Sequence, residues 1–110
     1  MAATIISNAL LNGLREHLAA DMPGYGQYKI GSTWYNSPIE LGEVKQNGSV
    51  CVSFKIEAQD TLITPATQFR LCDANGETLA ERVEEIPFTE EISELLYRFR
   101  FEINAKEESE

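Results

Sequence analysis

The sequence predicts a mainly β (α+β) fold in which one N-terminal amphipathic helix packs on an antiparallel β-sandwich-like domain of about six strands. Three observations predict it. Between residues 4 and 20 apolar side chains recur every four positions, the spacing of one helix face. The runs SVCVSFKIE and ELLYRFRFEI instead alternate with a period of two, as half-buried strands do. Asn-Gly and Asp-Ala-Asn-Gly, at positions 47–48 and 73–76, are turn signals of the hairpin kind.

The helix carries Ile6, Leu10, Leu14 and Leu18 as its expected buried stripe, widened by Ala9 and Leu11. Thr4 or Ser7 can cap it by accepting from a free backbone N–H, and Pro23 disfavours helical geometry at the preceding residue, so the stop is expected near Asp21. Gly13 inside the helix costs about 1 kcal/mol relative to alanine, which implies compensating packing or a close approach to the backbone. PGYGQ then reads as a loop, and YKIGSTWY as a strand with a bulge at Gly31 and with Tyr28, Ile30 and Trp34 on one side. IELGEVK follows as a short strand before the Asn47-Gly48 turn.

In SVCVSFKIE, Val50, Val52, Phe54 and Ile56 are expected to face the core, while Cys51, Ser53, Lys55 and Glu57 face water or a partial cover. Phe69 and Leu71 point inward ahead of the turn at 73–76, where Asp first and Gly last fit a type I turn closed by a left-handed glycine. The return arm ETLAERVEE has no clean face, because Glu77 and Glu81 share a side with Leu79 and Val83. The closing strand sets Leu95, Tyr97, Phe99, Phe101 and Ile103 against Leu96, Arg98, Arg100 and Glu102. One globular domain over roughly residues 3–104 is expected, with 105–110 a disordered acidic tail.

At 110 residues the chain can bury roughly 65% of its unfolded surface. Its eighteen acidic and nine basic residues give a formal charge of -9, which repels phosphate backbones and anionic lipid, so neither nucleic acid nor membrane is an expected partner. No apolar run is long enough to span a bilayer, and no basic region precedes the apolar N-terminus, so synthesis in the cytoplasm is expected.

Chemistry is weakly signalled. Cys51 and Cys72 lack metal or redox spacing and are expected as reduced thiols unless their strands pair. His17 is the only histidine, so Ser or Cys triads have no support, and no phosphate loop or dinucleotide fingerprint is present. No catalytic residue, metal or cofactor is therefore assigned, and the chain is not expected to be an enzyme. The acids Glu81, Glu84 and Glu85, together with Arg98 and Arg100, read as a candidate interface. Trp34 and Tyr35 read as a candidate ligand platform, with a core tryptophan as the default.

The stretches IISNALLNGLREHLA, YKIGSTW, VCVSFKI, QFRLCDANGETLAERVEE and LLYRFRFEI, in this order, resemble the N-terminal module of phage tail fibre and tail-collar proteins. The resemblance covers most of residues 4–103. It implies a virion or prophage tail structural protein, a fibre or baseplate attachment module that docks to other tail proteins. It also implies a homo-oligomer, most often a trimer, made in the host cytoplasm and then built into the virion tail. The alternative reading is a small β-sandwich binding module for carbohydrate or another surface ligand.

Overall fold

The computed structural model describes residues 7–60 and 63–103, so the expectations for Thr4, Ile6 and the acidic segment 105–110 lie outside the described residues. Helix α1 (Asn8–Ala20) precedes strands β1 (Tyr25–Ile30), β2 (Thr33–Val44), β3 (Ser49–Glu57), β4 (Ala66–Cys72), β5 (Thr78–Ile86) and β6 (Glu94–Glu102). All strand pairs are antiparallel, in the order β5-β4-β1-β2-β3-β6. The long β2 joins the two halves, since residues 33–38 pair with β1 and residues 39–44 with β3. Pro38 falls at this handover, beside a register shift between Ile39 and Leu41, where a missing backbone donor is tolerated.

The sheet curls across β2 until its two ends face each other. Phe69 of β4 then stacks on Tyr97 of β6 with ring centroids 3.8 Å apart, although four ladder steps separate their strands in the sheet. The sandwich-like form is thus one sheet folded over itself. Val50, Val52, Phe54 and Ile56 are all fully buried between the two halves, each such side chain contributing about 1.5–3 kcal/mol. Gly26 of β1 lies directly over the Phe54 ring, where any side chain would collide with it.

That contact decides where the first strand begins. PGYGQ is not a loop throughout, because β1 already begins at Tyr25 and needs Gly26 to cross Phe54. YKIGSTWY is likewise two strands: Ile30 pairs with Thr33 around a two-residue turn, and Gly31 takes φ 63 there. IELGEVK is the second half of β2 rather than a separate strand. The two later turns form as expected, with Gly48 and Gly76 both at φ 87. At the second, Asp73 Oδ1 accepts from the backbone N–H of Asn75 and of Glu77.

Helix α1 is capped by Ser7, whose hydroxyl accepts from the Leu10 amide, and it ends at Asp21. Its buried face differs from the expected one: Leu11 and Ala19 are buried and Leu18 packs on the core, whereas Leu10 and Leu14 are about half exposed. Two long-range contacts set this rotation. Ala19 rests its carbonyl on Gly42, and the Arg15 guanidinium donates to the Ile103 carbonyl at 2.6 and 3.1 Å. Nothing approaches Gly13, so the close-contact explanation for that glycine does not hold. Cys51 and Cys72 are free and buried on strands that do not pair, which leaves no route to a bridge between them.

Candidate functional site on the outer face of β3 and β6

The outward side of β3 is made of small residues, Ser49, Cys51 and Ser53, and all three are buried rather than wet. Pairing explains why. Cys51 lies between Glu43 of β2 and Arg100 of β6, and Ser53 between Leu41 and Arg98, so long side chains on both flanks overhang a low floor. The result is an open trough of about 510 Å³ lined by Lys45, Asn47, Ser49, Cys51, Arg98 and Arg100. The hairpin turn closes one end, where Asn47 Oδ1 accepts from the Ser49 amide at 3.0 Å and from its hydroxyl at 2.7 Å.

The charges around this trough are unequal in their commitments. Lys45 pairs with Glu43 at 2.6 Å and Arg100 with Glu102 at 3.3 Å, both pairs solvent-exposed. Elsewhere Lys29 and Arg70 lie over the Trp34 ring, Arg82 reaches the Tyr97 hydroxyl, and Lys55 sits between Glu40 and Glu94. The hydrogen bond and charge of Glu40, then the charge of Glu94, hold the Lys55 ammonium above its ordinary range. Among the described residues Arg98 is the one basic side chain with no hydrogen bond, ion pair or ring partner. It is flanked along the outer face by two half-exposed leucines, Leu41 on its own cross-strand row and Leu96 two residues away.

The acids expected to share this interface lie elsewhere. Glu81, Glu84 and Glu85 are on β5, at the opposite end of the strand order from β6. Glu81 pairs outward with Arg70 at 3.3 Å. Glu84 turns to the other side and accepts from the Tyr97 hydroxyl at 3.1 Å, while Arg82 lies 5.3 Å from the Phe99 ring centroid. Glu85 is exposed beside a register shift in the β4–β5 ladder. Arg82 and Glu84 therefore clasp the two folded-over ends of the sheet, and inward charges of this kind also keep an edge strand from recruiting a neighbour. The mixed faces of ETLAERVEE follow from the bulges on this strand.

Trp34 and Tyr35 do not form one platform. As successive strand residues they point to opposite faces: Tyr35 stacks inward on Tyr28 at 5.6 Å, and Trp34 lies outside with the Arg70 guanidinium 4.0 Å from its ring centroid. The default expectation of a core tryptophan fails for the same reason, since the turn at Gly31 and Ser32 reverses which residues face inward. Arg70 thus covers one face of the Trp34 ring, which is half-buried.

Among the described residues no three His, Cys, Asp or Glu side chains converge on a point that could hold an ion. Sequence reasoning found Arg98 and Arg100 but missed Lys45, Asn47 and the small-residue floor. The one local signal for the floor is the Ser-x-Cys-x-Ser alternation at 49–53, opposite the bulky Val-x-Val-x-Phe side. Comparison with protein-family models, with characterised proteins and with solved structures finds no match to this chain.

Proposed function

We propose that this chain is a phage or prophage tail structural protein, a non-catalytic module that attaches fibre or baseplate components through protein–protein contact. It works as a homo-oligomer, a trimer being the favoured form, and passes from the host cytoplasm into the virion tail. The observation that supports this reading is the unpaired Arg98 set between half-exposed Leu41 and Leu96. Arginine beside apolar side chains is the composition of an interface anchor, because the guanidinium donates in several directions while the leucines exclude water around it. The order of helix, strand and Asp-x-x-Gly hairpin supports the tail assignment by its resemblance to fibre and collar modules.

Absolute mass by light scattering after gel filtration tests the reading, across a tenfold concentration range and at two salt levels. A stable trimer is the expected result. A monomer at every concentration and both salt levels would contradict self-assembly.

A further inference from the structure

Resting on the assembly reading, we propose that the trough takes an extended acidic segment of a partner protein whose carboxylates stand two residues apart. Arg98 and Arg100 project from one face of one strand, so their bases are separated by two residues, about 7 Å at the rise of a β-strand. Alternate side chains of an extended peptide repeat at the same interval. A Glu-x-Glu or Asp-x-Asp segment laid along β6 therefore sets one carboxylate against each guanidinium, each able to accept two parallel N–H bonds from the planar fork.

The remaining groups fit this occupant. Arg98 has no competing acid among the described residues, so its pairing costs no existing bond. Arg100 already holds Glu102, and an incoming carboxylate must share or displace it, while Glu43 keeps Lys45 engaged at the rim. The first carboxylate, on Arg98, thus dominates affinity and the second sets the spacing rule. The buried floor of Ser49, Cys51 and Ser53 is low enough for a main chain to lie between the walls. Phosphates of a single-stranded nucleic acid repeat at a similar interval, but the formal charge of -9 opposes a polyanion over its whole length.

The test uses the full chain and a capped synthetic peptide, Gly-Ser-Glu-Ser-Glu-Ser-Gly, titrated by calorimetry beside its isomer Gly-Ser-Glu-Glu-Ser-Ser-Gly. The first peptide binds, the isomer binds several-fold more weakly, and added salt weakens both. Arg98→Ala weakens the first about tenfold or more, as loss of a charge-assisted hydrogen bond does, with Arg98→Lys intermediate because it keeps charge but loses the fork. Equal binding of the two isomers, indifference to Arg98→Ala, or tighter binding of a short oligothymidylate would each overturn the proposal. In this chain acids stand two apart only at Glu108 and Glu110, outside the described residues. Binding that emerges only in the Glu108→Gln/Glu110→Gln variant would assign the trough to the chain's own acids and overturn the partner assignment. A trimer that forms while no peptide binds sinks this inference and leaves the assembly reading intact; a monomer that binds the peptide does the reverse.

Discussion

Replacing Gly26 by alanine tests the curl of the sheet at its tightest point. A methyl there would come within 2.5 Å of Phe54 Cδ2, and closer still to Cγ and Cδ1, where ordinary contact begins near 3.4 Å. The ring must retreat by about 1 Å, yet Phe54 is fully buried and backed by Tyr97 and Phe99, whose ring centroids lie 5.8 and 6.2 Å away. Overpacking of a filled core costs about 1–3 kcal/mol. On an open strand the same substitution would stabilise by about 0.4–1 kcal/mol through the unfolded chain, so the sign itself is diagnostic. We expect a net loss of about 2 kcal/mol in urea unfolding at 25 °C. In a cycle with Phe54→Leu, which opens space for the methyl, the double variant should lose less than the two singles together by about 1 kcal/mol or more. A neutral or stabilising Gly26→Ala, or two effects that simply add, would refute the placement of β1 over β3.

Gly13→Ala should stabilise by about 0.5–1 kcal/mol, since the residue is exposed within α1 and its added methyl meets nothing, a change readable as a higher unfolding midpoint. Gly42→Ala should destabilise by about 2 kcal/mol or more and reduce the helical circular-dichroism signal, because the methyl strikes the Ala19 carbonyl on which α1 rests. Burial raises the Tyr97 phenol above its ordinary 10.0, with Glu84 adding to the rise and Arg82 opposing it, and desolvation together with Cys72 raises Tyr25. A raised folded value means that the stabilisation is complete below about pH 10 and is lost as pH climbs through the folded value. Ultraviolet titration of the four tyrosines should therefore show a late alkaline component that shrinks in Tyr97→Phe.

What the sequence made legible was local. The alternation in β6 placed Tyr97, Phe99 and Phe101 inward and Arg98 and Arg100 outward, because a strict period of two admits only one such division. Gly48 and Gly76 were likewise readable, since positive φ at the end of a hairpin turn favours a residue without Cβ. The turn at Gly31 and Ser32 was not, as its sequence also suits a bulge. Reading it as a bulge kept Trp34 in phase with Ile30, and the actual turn shifts that phase by one.

Long-range contacts account for the other departures. The helix repeat left room for more than one buried stripe, and Gly42, over twenty residues beyond Ala19, decides that Leu11 and Ala19 go in while Leu10 and Leu14 stay half exposed. The trough depends on β6 lying next to β3 with β4 and β5 inserted between them in the chain, a pairing that no local pattern encodes. For the same reason the acids of β5 and the arginines of β6 looked like partners in sequence, whereas β5 and β6 lie at opposite ends of the strand order, Glu81 and Glu84 are engaged by Arg70 and Tyr97, and Arg98 is left unpaired among the described residues.

The central claim, that this module self-assembles and keeps the outer face carrying Arg98 for its partner, is tested most directly by absolute mass in solution for the wild type beside Arg98→Glu. Arg98 is exposed and unpaired among the described residues, so reversing its charge should leave the unfolding free energy within about 0.5 kcal/mol of the wild type. A trimer in both proteins is the predicted result. A monomeric wild type, or a folded variant that falls to a monomer, would contradict the account.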